Sequence, residues 1–233
     1  MHQIASNLDV PKSVLSVRGV VHAYATGAPI AFPDLIITNT EVTIVRGASG
    51  AGKSTLIHLV VGALRIQSEA SQIVVDDQSL YGKSAIELDA LRPHIIGWMP
   101  QRVHLLTSLS VWDNVTLPLA MTRALTGPER ERAHVLMQDA GISALGNKFA
   151  ADVSVGQAAR ACLVRALLAK PKLLVADEPT AALDSHSAEN ICRMIAMYAA
   201  QGGAVLLASH DKSVDAHLRR HGAARTTHIE LAA

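Results

Sequence analysis

The sequence predicts an α/β fold built on a mainly parallel sheet, and three observations predict it. Short β-type runs alternate with helix-type runs along the 233 residues. Two of the β-type runs, "KLLVADEP" (172–179) and "GAVLLASHD" (203–211), are apolar almost without a break. Such runs fit strands covered on both faces, which parallel sheets require. A third run, "EVTIVRG" (41–47), passes through a glycine-rich turn straight into a helical pattern.

The elements follow in order. Residues 41–47 read as a strand and 53–64, "KSTLIHLVVGAL", as a helix. "SQIVVDD" (71–77) is a strand, and "HIIGWMPQ" (94–101) is a short strand ending in a loop. Two helices are expected next, from 110 to about 125 and from 128 to 140. Pro128 suits a first helical position and Gly141 a stop just past the end. A mainly helical insert of about 50 residues therefore separates Gln101 from Ser154. The runs at 172–179 and 203–211 supply the last two strands.

Composition narrows the function classes. A formal net charge of +1 and the lack of a basic stripe argue against a nucleic-acid partner. Apolar residues are 49% and aromatics 3%, so the core is expected to be Ala, Leu, Val and Ile. No apolar run approaches the roughly 18 residues that a membrane helix needs. The opening "MHQIASNLDVPKSV" has no apolar core of a leader, so no secretory signal is expected. Cys162 and Cys192 lie in apolar-periodic helical contexts and read as packing thiols rather than a disulfide. The eleven His residues show no zinc-ligand spacing.

The chemistry concentrates in a few motifs. "GASGAGKS", residues 47–54, matches G-x-x-x-x-G-K-[ST] between a strand and a helix. Gly47, Ala48, Ser49, Gly50, Ala51 and Gly52 can turn successive backbone N–H groups inward around phosphate oxygens, beside the positive start of a helix. Lys53 can reach the β- and γ-phosphates, Ser54 can ligate Mg²⁺, and Thr55 follows in the same turn. A glycine-rich strand–helix turn without a ligand is the plainer alternative. "KLLVADEP" delivers Asp177 and Glu178 to the carboxyl end of a strand, where open α/β sheets bind ligands. Asp177 would hold Mg²⁺ and Glu178 would polarise the attacking water. His210 ends the next apolar strand and is expected close to the γ-phosphate. Gln101, just after a strand, could contact Mg²⁺ or the attacking water. Tyr24 could stack on adenine or simply pack at a strand edge. In "ADVSVGQAARACLVRALL" (151–168), Ser154, Gly156 and Gln157 open a helix, either as an ordinary cap or as half of a nucleotide site.

Taken in order, these motifs resemble the ATP-binding subunit of ABC transporters. The resemblance runs from about residue 14 to 212: Tyr24, the P-loop at 47–54, Gln101, "VSVGQ" at 153–157, Asp177–Glu178, "AALD" at 181–184, then His210. "HLLTSLSVWDNVTLPLAM" (104–121) looks like a stretch of the lipoprotein-release, macrolide-export and cell-division branch. The resemblance implies a P-loop NTPase (RecA-like) core with an N-terminal antiparallel β segment. It also implies one ATP-binding domain over 1–233, with a helical subdomain at about 102–165. ATP and Mg²⁺ are the implied ligands. The implied partners are a separate transmembrane permease, for export or lipid and lipoprotein extraction, and a second ATP-binding subunit. Such a subunit would lie on the cytoplasmic face of the membrane. "VSVGQ" is similar to the family's signature loop, which binds the γ-phosphate held by the opposite subunit's P-loop, and Asp184 would lie at the seam between the two. The sequence departs from that pattern at Val153 and, more sharply, at Val155, where a β-branched side chain replaces glycine. A cassette that binds ATP but hydrolyses it weakly, acting in regulation or scaffolding, is the alternative that Val155 raises. ATPases of this family that act on nucleic acid usually carry two cassettes or a coiled-coil insert, and neither is present.

Overall fold

A computed structural model describes residues 12–223 and 225–231. The part of the opening stretch before residue 12, read above for a leader, lies outside them. The chain starts with β1 (Ser13–Arg18), a short ribbon of β2 (Val21–His22) and β3 (Ile30–Ala31), and β4 (Leu35–Thr38). β5 (Glu41–Arg46) runs into α1 (Lys53–Val60). β6 (Gln72–Val75), β7 (Gln78–Ser79), α2 (Ala85–Ile95) and β8 (Ile96–Met99) follow. Three helices, α3 (Val111–Ala120), α4 (Gly127–Asp139) and α5 (Val155–Leu168), separate β8 from β9 (Leu173–Asp177). α6 (Ser185–Ala200), β10 (Ala204–Ala208), α7 (Ser213–Arg220) and β11 (Arg225–Glu230) complete the fold.

The central sheet is parallel throughout, in the order β11-β5-β10-β9-β8. Period-2 alternation explains why its inner strands read as unbroken apolar runs. Val42, Ile44, Leu174, Ala176, Val205 and Leu207 point into a core shared with α3 to α7. Val45, Leu173, Val175, Ala204, Leu206 and Ala208 point into the opposite core, shared with α1 and the antiparallel sheet β4-β1-β6-β7. Both faces are thus covered, and the segments after β5, β8, β9 and β10 leave the sheet at its carboxyl edge.

Helix limits follow local chemistry. α1 stops at Val60, short of the expected 64, because Gly62 takes a left-handed φ of 67°. α3 starts at the Ser110 cap and ends at Ala120 rather than near 125. In α4, Thr126 and Glu129 form a capping box with Pro128 in the first turn, and Gly141 at φ 65° follows its end. Cys162 and Cys192 are free, buried thiols in one core, and burial pushes Cys192 up to about 12. Among the described residues, no helix is long and apolar enough to cross a membrane.

Candidate functional site

β5 ends where the glycine-rich loop begins. Gly47, Gly50 and Gly52 take φ values of 146°, 87° and 92°, which side-chain-bearing residues rarely adopt. A Cβ on Gly50 would meet nothing within 4 Å, so the loop faces open space there, whereas a Cβ on Gly47 or Gly52 would press on Leu231 O at 2.9 Å or Ile30 at 3.1 Å. α1 begins at Lys53 with no side-chain cap, leaving its first N–H groups without an internal acceptor from a side chain. Lys53 Nζ donates to Gly47 O at 2.8 Å and to Ala48 O at 3.0 Å, folding the ammonium over the mouth of the loop.

Three neighbouring strands bring their ends to the same place. Asp177, the last residue of β9, is 3% exposed, and its Oδ1 is buried without a hydrogen-bond partner. Burial pushes its carboxyl above the usual carboxylate range, while the Ser54 hydroxyl, His58 and Lys53 pull the other way. A bare carboxylate oxygen beside a hydroxyl is a fitting donor pair for a hard divalent cation. Glu178 follows with a left-handed φ of 47°, a conformation that costs a non-glycine residue about 1–3 kcal/mol and concentrates at functional sites. Its backbone N–H is tied to Ala208 O at 2.9 Å. Its carboxylate meets His210 twice, with Oε1 2.9 Å from Nδ1 and Oε2 accepting from the His210 backbone N–H at 3.4 Å. Glu178 is buried while the His210 side chain is 70% exposed, so the imidazole can still turn toward a ligand.

One cavity of about 920 Å³ joins these groups. It is lined by Tyr24, Gly47, Ala48, Ser49, Gly50, Gly52, Lys53, Ser54, Thr55, Gln101, Asp177, Glu178 and His210. Tyr24 is held there by a 2.9 Å hydrogen bond between its hydroxyl and Thr55 Oγ1, and by edge-on packing against His22. Ala51 alone of the loop lies outside the lining. It is buried beneath the turn, 3.1 Å from where a Gly47 Cβ would sit.

A family model described as ABC transporter matches residues 33–181, well over half of the chain. The chain belongs to this family. Macrolide export ATP-binding/permease protein MacB of Escherichia coli is 32% identical over 213 residues, covering 90% of this chain and 33% of that protein. The protein of the same name from Burkholderia thailandensis is 37% identical over 186 residues, covering 80% and 28%. The chain thus spans about a third of the length of these relatives. A solved ATP-binding cassette, a dimeric post-hydrolysis state bound to ADP and Pi, superposes with a TM-score of 0.79 at 27% identity, covering 94% of this chain and 97% of that one.

Within this ABC cassette, the 153–157 loop stands apart from the cavity. Ser154, Gly156, Gln157 and Asp184 do not line it. Ser154 caps α5 in a complete capping box with Gln157: its Oγ accepts from Gln157 N at 3.3 Å, and Gln157 Oε1 accepts from Ser154 N at 2.9 Å. Gly156 is buried, and a Cβ there would run into the Ser187 hydroxyl, with Asp184 Oδ2 at 3.5 Å. Close approach of α5 to the start of α6 therefore demands this glycine. Asp184 caps α6, accepting from Ser187 N at 2.9 Å. Val155 occupies the first turn of α5 with ordinary helical backbone and is 64% exposed. A helical φ suits a β-branched residue, so Val155 departs from the family pattern by its bulk and not by any backbone restriction.

Sequence reasoning missed the wall formed by Thr26, Gly27, Ala28 and Ile30. The "ATGAP" turn after Tyr24, with Gly27 at φ 120°, was the available signal.

Proposed function

We propose that this chain is the ATP-hydrolysing subunit that powers a separate transmembrane permease, in export or lipid extraction. It would work as one ATP-binding domain over residues 1–233, with a helical subdomain at about 102–165, held on the cytoplasmic face through its permease. The supporting observation is the single cavity in which an uncapped helix start, a partnerless buried carboxylate and a Glu–His pair face one another. Its size suits a nucleotide, and the names of the relatives speak of ATP binding and macrolide export.

In this reading Gly47 to Gly52 present backbone N–H groups to the β-phosphate, and Lys53 leaves the loop carbonyls for the β- and γ-phosphates. Tyr24 stacks on adenine. Ser54, Asp177 and Gln101 would hold Mg²⁺, which when bound neutralises developing phosphate charge. Glu178 takes the proton of the attacking water. His210 steadies that carboxylate through Nδ1 and keeps its other ring nitrogen for the γ-phosphate. Phosphoryl transfer needs mainly such positioning and charge neutralisation. Ser154, Gly156, Gln157 and Asp184, remote from their own cavity, would complete the site of a second copy in a head-to-tail dimer. A weakly hydrolysing regulatory cassette is the second reading, favoured by the exposed Val155 at the head of α5.

Glu178→Gln tests the assignment, since the amide keeps the shape and removes the base. Turnover should fall by about 10²- to 10⁴-fold, with ATP binding retained in equilibrium dialysis. Near-normal hydrolysis would take Glu178 out of the base role.

A further inference from the structure

His210 sits between two ties to the end of β5. Before it, Ser209 N–H donates to Val45 O at 3.2 Å. After it, the Asp215 carboxylate on α7 accepts from the Arg46 guanidinium. Arg46 is the last residue of β5 and directly precedes Gly47, the first residue of the phosphate loop. The pair is about four-fifths buried, with side-chain exposures of 21% and 20%. The link from His210 to Asp215 is itself stiff: Asp211 accepts from Ser213 N and Ser213 Oγ, both at 2.8 Å, and Asp211 N donates to Ser209 Oγ at 3.1 Å. β11 closes the arrangement through Leu231 N, which donates to Arg46 O at 2.9 Å, while His228 Nε2 lies 3.1 Å from Asp215 Oδ1 without a hydrogen bond to it.

An ion pair removed this far from water costs desolvation and returns little net stability. What it does supply is a fixed distance between two loops. We propose that the Arg46–Asp215 ion pair is a positioning device, which holds the His210 loop at a set distance from the phosphate loop so that His210 and Glu178 stay aligned on the reacting phosphate. This rests on the hydrolytic reading above. Arg46 and Asp215 do not line the cavity and act through His210. Losing the pair would leave the phosphate loop formed, because its turn depends on its own glycines and on β5. It would free α7 to shift, and with it the imidazole.

The test uses the purified full chain with ATP and Mg²⁺. Asp215→Asn keeps the shape and removes the charge. Arg46→Asp and Asp215→Arg are made singly and together, so that the double variant restores a pair of opposite polarity. Asp215→Asn should lower kcat about ten- to a hundredfold, the scale of a small misplacement of reacting groups, with KM for ATP little changed. The charge-swapped double variant should recover most of the kcat lost in either single variant. Three outcomes would overturn the proposal: unchanged kcat in Asp215→Asn, a rise in KM parallel to the fall in kcat, or a kcat loss that only tracks the folded fraction seen by near-ultraviolet circular dichroism. If the wild-type chain itself fails to hydrolyse ATP, the functional reading fails instead, and the two failures remain distinct.

Discussion

Two helix starts, those of α1 and α5, both lack an acidic residue yet are treated oppositely by the fold. Among the seven described α-helices they alone carry no carboxylate at the cap or in the first turn. The others place Glu87, Asp113, Glu129, Asp184 or Asp215 there. A helix start attracts negative charge, worth about 0.3–1 kcal/mol when a side chain supplies it. A sequence that withholds its own carboxylate leaves that attraction for an external anion. The difference lies in how ready each start is. α1 has Gly52 as its cap, no side-chain acceptor and a cavity in front of it. α5 has its start satisfied by Ser154 and Gln157 and lies on an exposed surface. The first start is open to the cavity, and in the proposed reading a nucleotide would complete its hydrogen bonds. The second is capped by its own residues, and in the proposed dimer it would engage a phosphate brought to it by another copy.

The contrast can be broken most forcefully at α1. Lys53→Ala removes the charge folded over that start. Charge-assisted hydrogen bonds are worth about 1.5–3 kcal/mol, so ATP affinity should weaken by about ten- to a hundredfold. Unchanged affinity by isothermal titration would argue that the loop is a turn without a phosphate.

Asp177→Asn probes the same start through its neighbour. Burial raises the folded-state pKa of Asp177, so the folded chain holds its proton more tightly than the unfolded chain does. Stability from this group is therefore present below the ordinary carboxylate pKa and is lost as pH rises through the raised value. Where Asp177 is ionised, the ligand-free chain bears the cost of a buried charge, offset in part by Ser54, His58 and Lys53. Asp177→Asn should raise the melting temperature of the ligand-free protein at pH 7, with the gain shrinking as the pH is lowered. It should also abolish the extra stabilisation that Mg²⁺ gives with ATP. A lower melting temperature without ligand would contradict the burial argument.

The smallest effect is expected at α5. Val155→Gly costs about 0.5 kcal/mol in an exposed helical turn and removes exposed bulk. It should melt slightly earlier and hydrolyse ATP somewhat faster, and slower hydrolysis would show that the valine is fitted to its partner surface.

Much of this contrast was legible in the sequence. The apolar runs at β9 and β10 announced a sheet covered on both faces, and the glycine spacing of 47–54 announced the turn, because both signals are local. α2 was not anticipated, since Pro93 lies inside it and only Leu88 and Ile95 are buried. β11 reads as polar, because it is an edge strand whose pairing with β5 depends on residues some 180 positions away. The reason for Gly156 was equally hidden. Its clash partner, Ser187, belongs to another helix. The Arg46–Asp215 pair was hidden for the same reason, joining residues 169 positions apart.

In the proposed dimer the open start on one copy and the self-capped start on another would share one nucleotide. Light scattering with size exclusion tests it directly, using Glu178→Gln to slow turnover and adding Ser154→Arg to place bulk and charge at the second start. With ATP and Mg²⁺, Glu178→Gln should run as a dimer, and the double variant should stay monomeric while binding ATP as tightly as before. A double variant that still dimerises with ATP would reduce the 153–157 loop to a helix cap and contradict the shared site.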